Sequence, residues 1–318
     1  ITTHHKPDGD AMGSSLGLYN YLIQQGHHAK VITPTDYPDY LAWMTGNAEV
    51  IVYTDHVEES NQLIADAEII FCLDFNALSR INDMSEPVRA SSSVKVMIDH
   101  HLEPEDFDDY RHWNINACAT AQLVYDFIVN KMDGGEWINA DVATCLYTGI
   151  MTDSASFKLP NTTADVHRVA ADLIDLGAVN WHIHELVYNN QPESRIRFLG
   201  HCLKNKLEVL YEFNTAIIAA SAAELEEYDI ATGETEGIVN YGLSIEGIKL
   251  AAFIVERTDK IKLSLRSKGE FPANEICKKY FSGGGHRNAA GGTSTDSLEQ
   301  VVEQLKSILP EYKKLLIQ

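Results

Sequence analysis

The chain has 318 residues, with 46 Asp plus Glu against 25 Lys plus Arg and a formal charge of −21 at pH 7. That length fits two domains, and an apolar fraction of 45% excludes a disordered, collagenous or coiled-coil chain. No window approaches the ~18 uninterrupted apolar residues of a membrane helix, and the acidic balance argues against a broad surface for long nucleic acid, whose phosphates are held by clustered Lys and Arg.

In chain order, residues 1–155 alternate short apolar runs with helical patterns, the signature of βαβ units and a parallel sheet. Strands are expected at 1–4, 30–33, 50–53, 69–74 and 94–99. Met12, Leu16, Tyr19 and Ile23 recur at helical spacing and predict a first helix, capped by Asp10 and stopped at Gly26. Further helices are expected at 119–132 and at 139–151, the second capped by Asn139. A helical stretch from 164 to 204, broken at Pro192, reads as the connection between domains, with the linker at 191–206. A second α/β unit over 207–318 is expected, with strands near 207–219, 248–257 and 260–267 and helices near 273–281 and 297–316. The acidic clusters 103–109 and 224–229 read most simply as solvated surface.

Cys72, Cys118, Cys145, Cys202 and Cys277 are odd in number, widely spaced and never in a CxxC pair. They fit reduced thiols in a cytoplasmic protein better than a disulfide framework or a zinc ribbon, and Cys72 and Cys145 read as small core residues. The opening residues resemble the tail of a strand rather than a signal peptide.

The chemistry concentrates at strand ends. The strand at 1–4 runs into His4-His5-Lys6-Pro7-Asp8-Gly9-Asp10, the one at 69–74 ends at Asp74, and the one at 94–99 ends in Asp99-His100-His101. Asp153 follows the helix at 139–151. In an open parallel sheet, ligands bind in the crevice beyond the carboxyl ends of the strands. A lone Asp there reads equally well as a helix cap. Several carboxylates and histidines converging without Lys or Arg would instead repel one another unless cations were bound. Mixed Asp and His donors suit Mn²⁺, with Mg²⁺ or Co²⁺ as alternatives. A pair of such ions would hold a hydroxide for in-line attack on phosphorus.

At these residues the sequence resembles the DHH phosphoesterases, named for the run Asp99-His100-His101. The resemblance covers nearly the whole chain: His4-x-x-Pro7-Asp8-x-Asp10-x-x-Gly13-Ser14, Asp74, the DHH run itself, and Gly149-Ile150-Met151-Thr152-Asp153. It implies an α/β fold with an N-terminal parallel-sheet DHH domain over 1–190, a smaller C-terminal α/β domain of the DHHA1 type over 207–318, and an active site in the cleft between them. By the same resemblance, His4, Asp8 and Asp74 hold one ion, and Asp10, Asp74, His100 and Asp153 the other. Asp99 orients a ligand histidine, and His101 serves the departing oxygen.

Residues 283–292 form a glycine-rich stretch that resembles the GGGH loop of DHHA1 domains, and Ser264-Leu265-Arg266-Ser267 resembles that domain's arginine strand. The implication is that Arg266, Gly283, Gly284, Gly285, His286 and Asn288 bind the substrate's phosphate or nucleotide. Arg287 is as consistent with a solvent-facing side chain as with phosphate contact. Arg80, six residues after Asp74, reads equally as a phosphate contact or as one half of a surface ion pair. His182 and His184 do not share a helix face and are not expected to be ligands. Tyr147 and Tyr188 read as core or cleft wall ahead of base-stacking platforms.

Among the family's activities, the GGGH loop argues against type II inorganic pyrophosphatases. The length and charge leave no room for the extra modules of RecJ-type exonucleases. What remains resembles the stand-alone type that hydrolyses short oligoribonucleotides (nanoRNA) and 3′-phosphoadenosine 5′-phosphate (pAp). The expected partners are therefore short oligoribonucleotides, pAp or dinucleotides, without long duplex nucleic acid or a membrane, and a homodimer is left open. The alternatives are a phosphodiesterase for cyclic or linear dinucleotides such as c-di-AMP or pApA, an exopolyphosphatase, and a nucleotide-binding regulator without turnover.

Overall fold

In the computed structural model, which describes residues 1–231 and 233–317, the chain divides into two units after Asn190. The first contains α1 (Gly9–Gln24), β1 (Ile32–Thr33), β2 (Ile51–Val52), α2 (Val57–Asp66), β3 (Ile69–Leu73), α3 (Ser85–Ala90), β4 (Val94–Asp99), β5 (Tyr110–Trp113), α4 (Thr120–Asp126), α5 (Ala140–Asp153), α6 (Ala164–Asp175) and α7 (Asn180–Tyr188). Every strand pairing in it is parallel: β1 with β2, β3 with β4, and β4 with β5. The first residues form a bridge rather than a full strand, and Thr2 pairs in parallel with Ile32 of β1 and Cys72 of β3. The spatial order is therefore β2, β1, the Thr2 segment, β3, β4, β5. The chain leaves the Thr2 segment toward one edge and later returns to build outward from its other side. This reversal is the topological switch point at which doubly wound sheets bind ligands.

The first helix departs from a single apolar stripe. Met12 and Leu16 are buried against Val31, Leu41 and Met44, while Leu18, Tyr21 and Leu22 join the main core on another face. Ile23, expected inside, is 42% exposed. The reason is that α1 packs on α5 through small residues. A Cβ on Gly13 would stand 2.6 Å from the Cys145 carbonyl oxygen and 2.7 Å from the Gly149 nitrogen. With no side chains between them, the two helices meet backbone to backbone, and α1 buries most of its circumference. The cap of α1 is Asp8, not Asp10. The Asp8 side chain accepts from the Asp10 and Ala11 N–H groups, which leaves the Asp10 carboxylate free for other partners. The Asn139 cap on α5 is as expected. The helix expected at 119–132 is α only to Asp126 and continues as a π-helical turn over Phe127–Lys131.

The second unit contains α8 (Glu193–His201), β6 (Leu207–Leu210), β7 (Thr215–Ala220), α9 (Ala222–Glu227), α10 (Ile238–Leu243), β8 (Leu250–Glu256), β9 (Ile261–Ser267), α11 (Ala273–Tyr280), β10 (Gly284–His286), β11 (Ala289–Ser294) and α12 (Leu298–Ile317). Its six strands run in the order β10-β11-β9-β8-β7-β6, antiparallel except for β7 with β8. Alternation along β8 serves two cores. Leu250, Ala252 and Ile254 pack with Phe271 and Ile276, whereas Ala251, Phe253 and Val255 pack with Phe198 and Ile238. A sheet covered on both faces reads as an apolar run for this reason.

The stretch 191–206, expected as a linker, is helical from Glu193 and belongs to the second unit, because Phe198 and Cys202 are fully buried in one of its two cores. All five cysteines are free and buried. Burial pushes the Cys72 and Cys145 thiols up to about 12, as inert core residues should behave.

The two acidic clusters are not simply solvated. Glu105 accepts from the Leu78 N–H and pairs with Arg89, and Asp109 accepts from the Lys95 N–H beside β4. Glu224 completes a capping box with Ser221 on α9 and pairs with Lys206 at 2.5 Å and His201 at 2.9 Å. Burial works against the Glu224 charge, but Lys206, the Ser221 N–H and His201 hold its carboxyl down to about 2. A depressed carboxyl stabilises the fold above its unfolded value, near 4.3, and loses that contribution as pH falls through the folded value. Glu224→Gln is expected to destabilise the protein by about 1–3 kcal/mol at pH 7. Thermal melts between pH 7 and 3 should show the gap to wild type narrowing below about pH 4; a gap independent of pH would refute the assignment.

Candidate functional site

In the first unit the side chains expected from the strand ends meet at the switch point. His4 Nε2 lies 3.9 Å from Asp8 Oδ1 and 3.5 Å from Asp74 Oδ2. His100 Nε2 lies 3.5 Å from Asp74 Oδ1, 3.6 Å from Asp153 Oδ2 and 3.9 Å from Asp10 Oδ2. Two groups of donors result, His4–Asp8–Asp74 and Asp10–His100–Asp153. Asp74 joins them, with one oxygen toward each histidine. Its backbone is left-handed (φ 64°), a conformation that Asp tolerates better than most residues.

The donor set suits divalent cations. His4 Nδ1–H donates to the His5 carbonyl and His100 Nδ1–H to the Ala117 carbonyl, which leaves both Nε2 atoms as acceptors aimed at the carboxylates. Around an octahedral ion with bonds of ~2.1 Å, adjacent donors stand about 3.0 Å apart and opposite ones about 4.2 Å. The separations of 3.5–3.9 Å fall between those limits.

The electrostatics agree. Burial, together with the Asp74 and Asp153 charges, holds the Asp10 carboxyl well above the ordinary carboxylate range. Burial opposes charge on Asp74 as well, yet His4, His101 and His100 hold its carboxyl far below that range. Burial likewise disfavours charged His4 and His100, but the Asp74 carboxylate outweighs it and raises both. A cation bound among these groups would compete with protons for the same donor atoms.

Asp99, at the end of β4, is fully buried. The resemblance implied that it orients a ligand histidine, and the structure gives it the other member of the pair. Asp99 Oδ1 accepts from His101 Nδ1 at 2.8 Å and Oδ2 from the His101 N–H at 3.1 Å, while His100 is held by Ala117. Trp113 Nε1–H donates to the His101 carbonyl and fixes the turn from β5.

Two contributors, Thr120 and Ala121, were not singled out from the sequence. Thr120 and Ala121 present their N–H groups to the Asp10 carboxylate at 2.6 and 2.9 Å, and the Thr120 hydroxyl donates to Asp74 Oδ1 at 2.9 Å. The start of α4 thus supports both acids, and the signal was available: a helix beginning near 119 has unpaired N–H groups that favour an anion. His5, beside the ligand histidine, donates from both its backbone N–H and Nδ1 to the Arg80 carbonyl. That ties the segment carrying His4 and Asp8 to the segment that follows Asp74.

In the second unit, the glycine-rich stretch is a hairpin rather than an open loop. Gly284–His286 pair with Ala289–Gly291, and β11 pairs in turn with β9. Gly283 must be glycine, since a Cβ there would stand 2.0 Å from the Gly291 carbonyl oxygen. Ala289 is the register partner of both His286 and Arg266. Residues directly opposite one another share a face of a sheet. His286 and Arg266 therefore lie on the same face, two strands apart, with only a methyl group between them. Asn288 Nδ2 braces the hairpin by donating to Ser267 Oγ and the Gly269 carbonyl. Arg287 pairs with the Glu270 carboxylate and donates to the Glu270 carbonyl, both at the surface.

Two family descriptions match this chain: the DHH family, N-terminal domain, over residues 1–150, and the DHHA1 domain over residues 214–316. The bifunctional oligoribonuclease and PAP phosphatase NrnA of Thermus thermophilus is 33% identical over 314 residues, 98% of this chain and 89% of that protein. The chain belongs to the DHH family. The protein of the same name from Bacillus subtilis is 27% identical, over 98% of this chain and 94% of its own length. A crystal structure of an exopolyphosphatase-related protein from Bacteroides fragilis superposes with a TM-score of 0.95 at 40% identity, covering 100% of this chain and 93% of that one. This DHH protein is thus a phosphoric ester hydrolase with a DHH and a DHHA1 domain. Among its described residues, no helix is long and apolar enough to cross a membrane.

Proposed function

We propose that this DHH protein is a Mn²⁺-dependent phosphoesterase that cleaves oligoribonucleotides of a few residues to mononucleotides and converts pAp to AMP. The observation that carries the reading is Asp74, shared by two donor groups, with His101 held beside it by Asp99. Divalent ions bound there supply a polarised water and neutralise phosphoryl oxygens. The residues do the rest. His4, Asp8 and Asp74 form one cradle, and Asp10, Asp74, His100 and Asp153 the other. A water that has given up a proton to solvent adds to phosphorus as the P–O ester bond breaks, His101 gives a proton to the departing oxygen, and Asp99 stabilises the orientation of His101 throughout. Arg266 and His286, on the face they share beside the glycine-rich hairpin, take a further phosphate or nucleotide of the substrate.

Support for the substrate class comes from relatives named oligoribonuclease and PAP phosphatase and from the charge of −21, which disfavours an extended grip on a polymer. Rates with Mn²⁺ on a labelled dinucleotide, pAp, c-di-AMP, polyphosphate and a long RNA test the reading. The dinucleotide and pAp are expected to be the preferred substrates. Hydrolysis of neither would overturn it, and preferential turnover of c-di-AMP or polyphosphate would replace it with one of those activities.

A further inference from the structure

Arg80 stands beside the centre with its main chain fixed and its charge unused. It lies in the short 3₁₀ segment Leu78–Met84 that follows Asp74, flanked by Leu78 and Ile81, both fully buried in one core of the first unit. Its N–H donates to the Ala77 carbonyl at 3.0 Å. Its carbonyl accepts from the His5 N–H at 2.8 Å and from His5 Nδ1 at 2.9 Å. Arg80 is thereby tied to the residue next to His4.

The side chain is half-buried, and its charge is felt at the centre. Burial disfavours a charged His4, the Asp74 and Asp8 carboxylates outweigh it, and the Arg80 guanidinium is near enough to weigh against that charge as well. Every other arginine of the chain pairs with a carboxylate or donates to a carbonyl or hydroxyl oxygen. Among the described residues, Arg80 alone does neither. A surface ion pair was within its sequence reach, because Asp83 stands three residues on, a spacing at which helical residues meet. Asn82, left-handed at φ 49°, breaks that spacing, and the pair does not form. A guanidinium half removed from water favours an acceptor. Its planar fork of N–H donors matches the oxygens of a phosphate.

We propose that Arg80 is a further catalytic residue, its guanidinium donating to the non-bridging oxygens of the phosphoryl group under attack, on the side of the centre formed by His4 and Asp8. The proposal rests on the phosphoesterase reading and adds what that reading lacks, a donor from the first unit aimed at the oxygens on which charge grows as the P–O bond breaks. The guanidinium stays protonated throughout and takes no part in proton transfer.

The test compares wild type, Arg80→Ala and Arg80→Lys with Mn²⁺ on the labelled dinucleotide and on pAp. Loss of one donor to transition-state charge costs about 10²–10³-fold in rate. Arg80→Ala is expected to lower kcat/KM on both substrates by at least about 10²-fold, and Arg80→Lys, which keeps the charge without the fork, to fall between. Two melting measurements separate this from a structural role. The rise in Tm that Mn²⁺ gives wild type should persist in Arg80→Ala, since the His5 hydrogen bonds go to a carbonyl that alanine keeps. A further rise on adding inorganic phosphate to the Mn²⁺-loaded protein should occur in wild type and be lost in Arg80→Ala. Activity of Arg80→Ala within about three-fold of wild type, or loss of the Mn²⁺ shift together with activity, would overturn the proposal. So would a phosphate shift that is absent from wild type or equal in the two proteins. Should Arg80→Ala not fold, Arg80→Lys carries the same measurements. Failure of the wild type on both substrates would instead overturn the phosphoesterase reading, and the phosphate shift would still decide whether Arg80 holds a phosphate.

Discussion

Asp74→Asn is expected to lower kcat on the dinucleotide by at least about 10³-fold, equivalent to about 4 kcal/mol of transition-state stabilisation, while leaving the fold intact. Asp74 faces His4, His100 and His101 at 3.5, 3.5 and 3.7 Å and is 2% exposed. It faces the histidine of each donor group, one oxygen toward each. Asparagine keeps the shape and an oxygen for the Thr120 hydroxyl but loses the charge that offsets two cations. Ligands stabilise the state they bind, so Mn²⁺ should raise the Tm of wild type, and this rise should be largely lost in Asp74→Asn. Full activity in the variant, or an undiminished Mn²⁺ shift, would show that the centre does not depend on the shared carboxylate.

The second large effect is on stability. Gly13→Val is expected to destabilise the first unit by about 3 kcal/mol, the upper end of overpacking effects, and to abolish turnover with it. The valine Cβ would sit within 2.6–2.9 Å of the Cys145 carbonyl and the Gly149 backbone. These are main-chain atoms of α5 and have no rotamer to move. Relief requires α1 and α5 to separate, and those helices carry Asp10 and Asp153, both of which face His100. Denaturant titration followed by activity at low denaturant checks this. A variant as stable as wild type would mean that the helix contact is looser than its geometry indicates.

Much of the centre was legible because its acids and histidines stand at fixed offsets from apolar runs. Each run of the β type ends at the same edge of a parallel sheet, so His4, Asp8, Asp10, Asp74, Asp99, His100 and His101 could be brought together on paper. Which histidine each acceptor holds could not. Asp99 is one peptide bond from His100 and two from His101, and only the turn after β4, pinned by Trp113, decides that it holds the second. The cap of α1 went to Asp8 for a similar reason: both acids precede the helix, and Asp10 is drawn instead to the N–H groups opening α4, more than a hundred residues away. The acidic clusters misled because composition cannot distinguish a solvated Glu from one closing a capping box, as Glu224 does.

The sequence by itself determined the fold class, the two-domain order and the chemical character of the site, because hydrophobic periodicity is local and the ligand types are written into the motifs. Tertiary structure alone decided three things. It set Asp74 at the junction of two donor groups, placed Arg266 and His286 on one sheet face through their common partner Ala289, and tied Arg80 to His5 while the left-handed Asn82 parted it from Asp83. Each depends on contacts between residues distant in the chain or on backbone conformations opposed to local preference. No pattern of neighbouring residues encodes these, because only the packed core supplies the energy to enforce them.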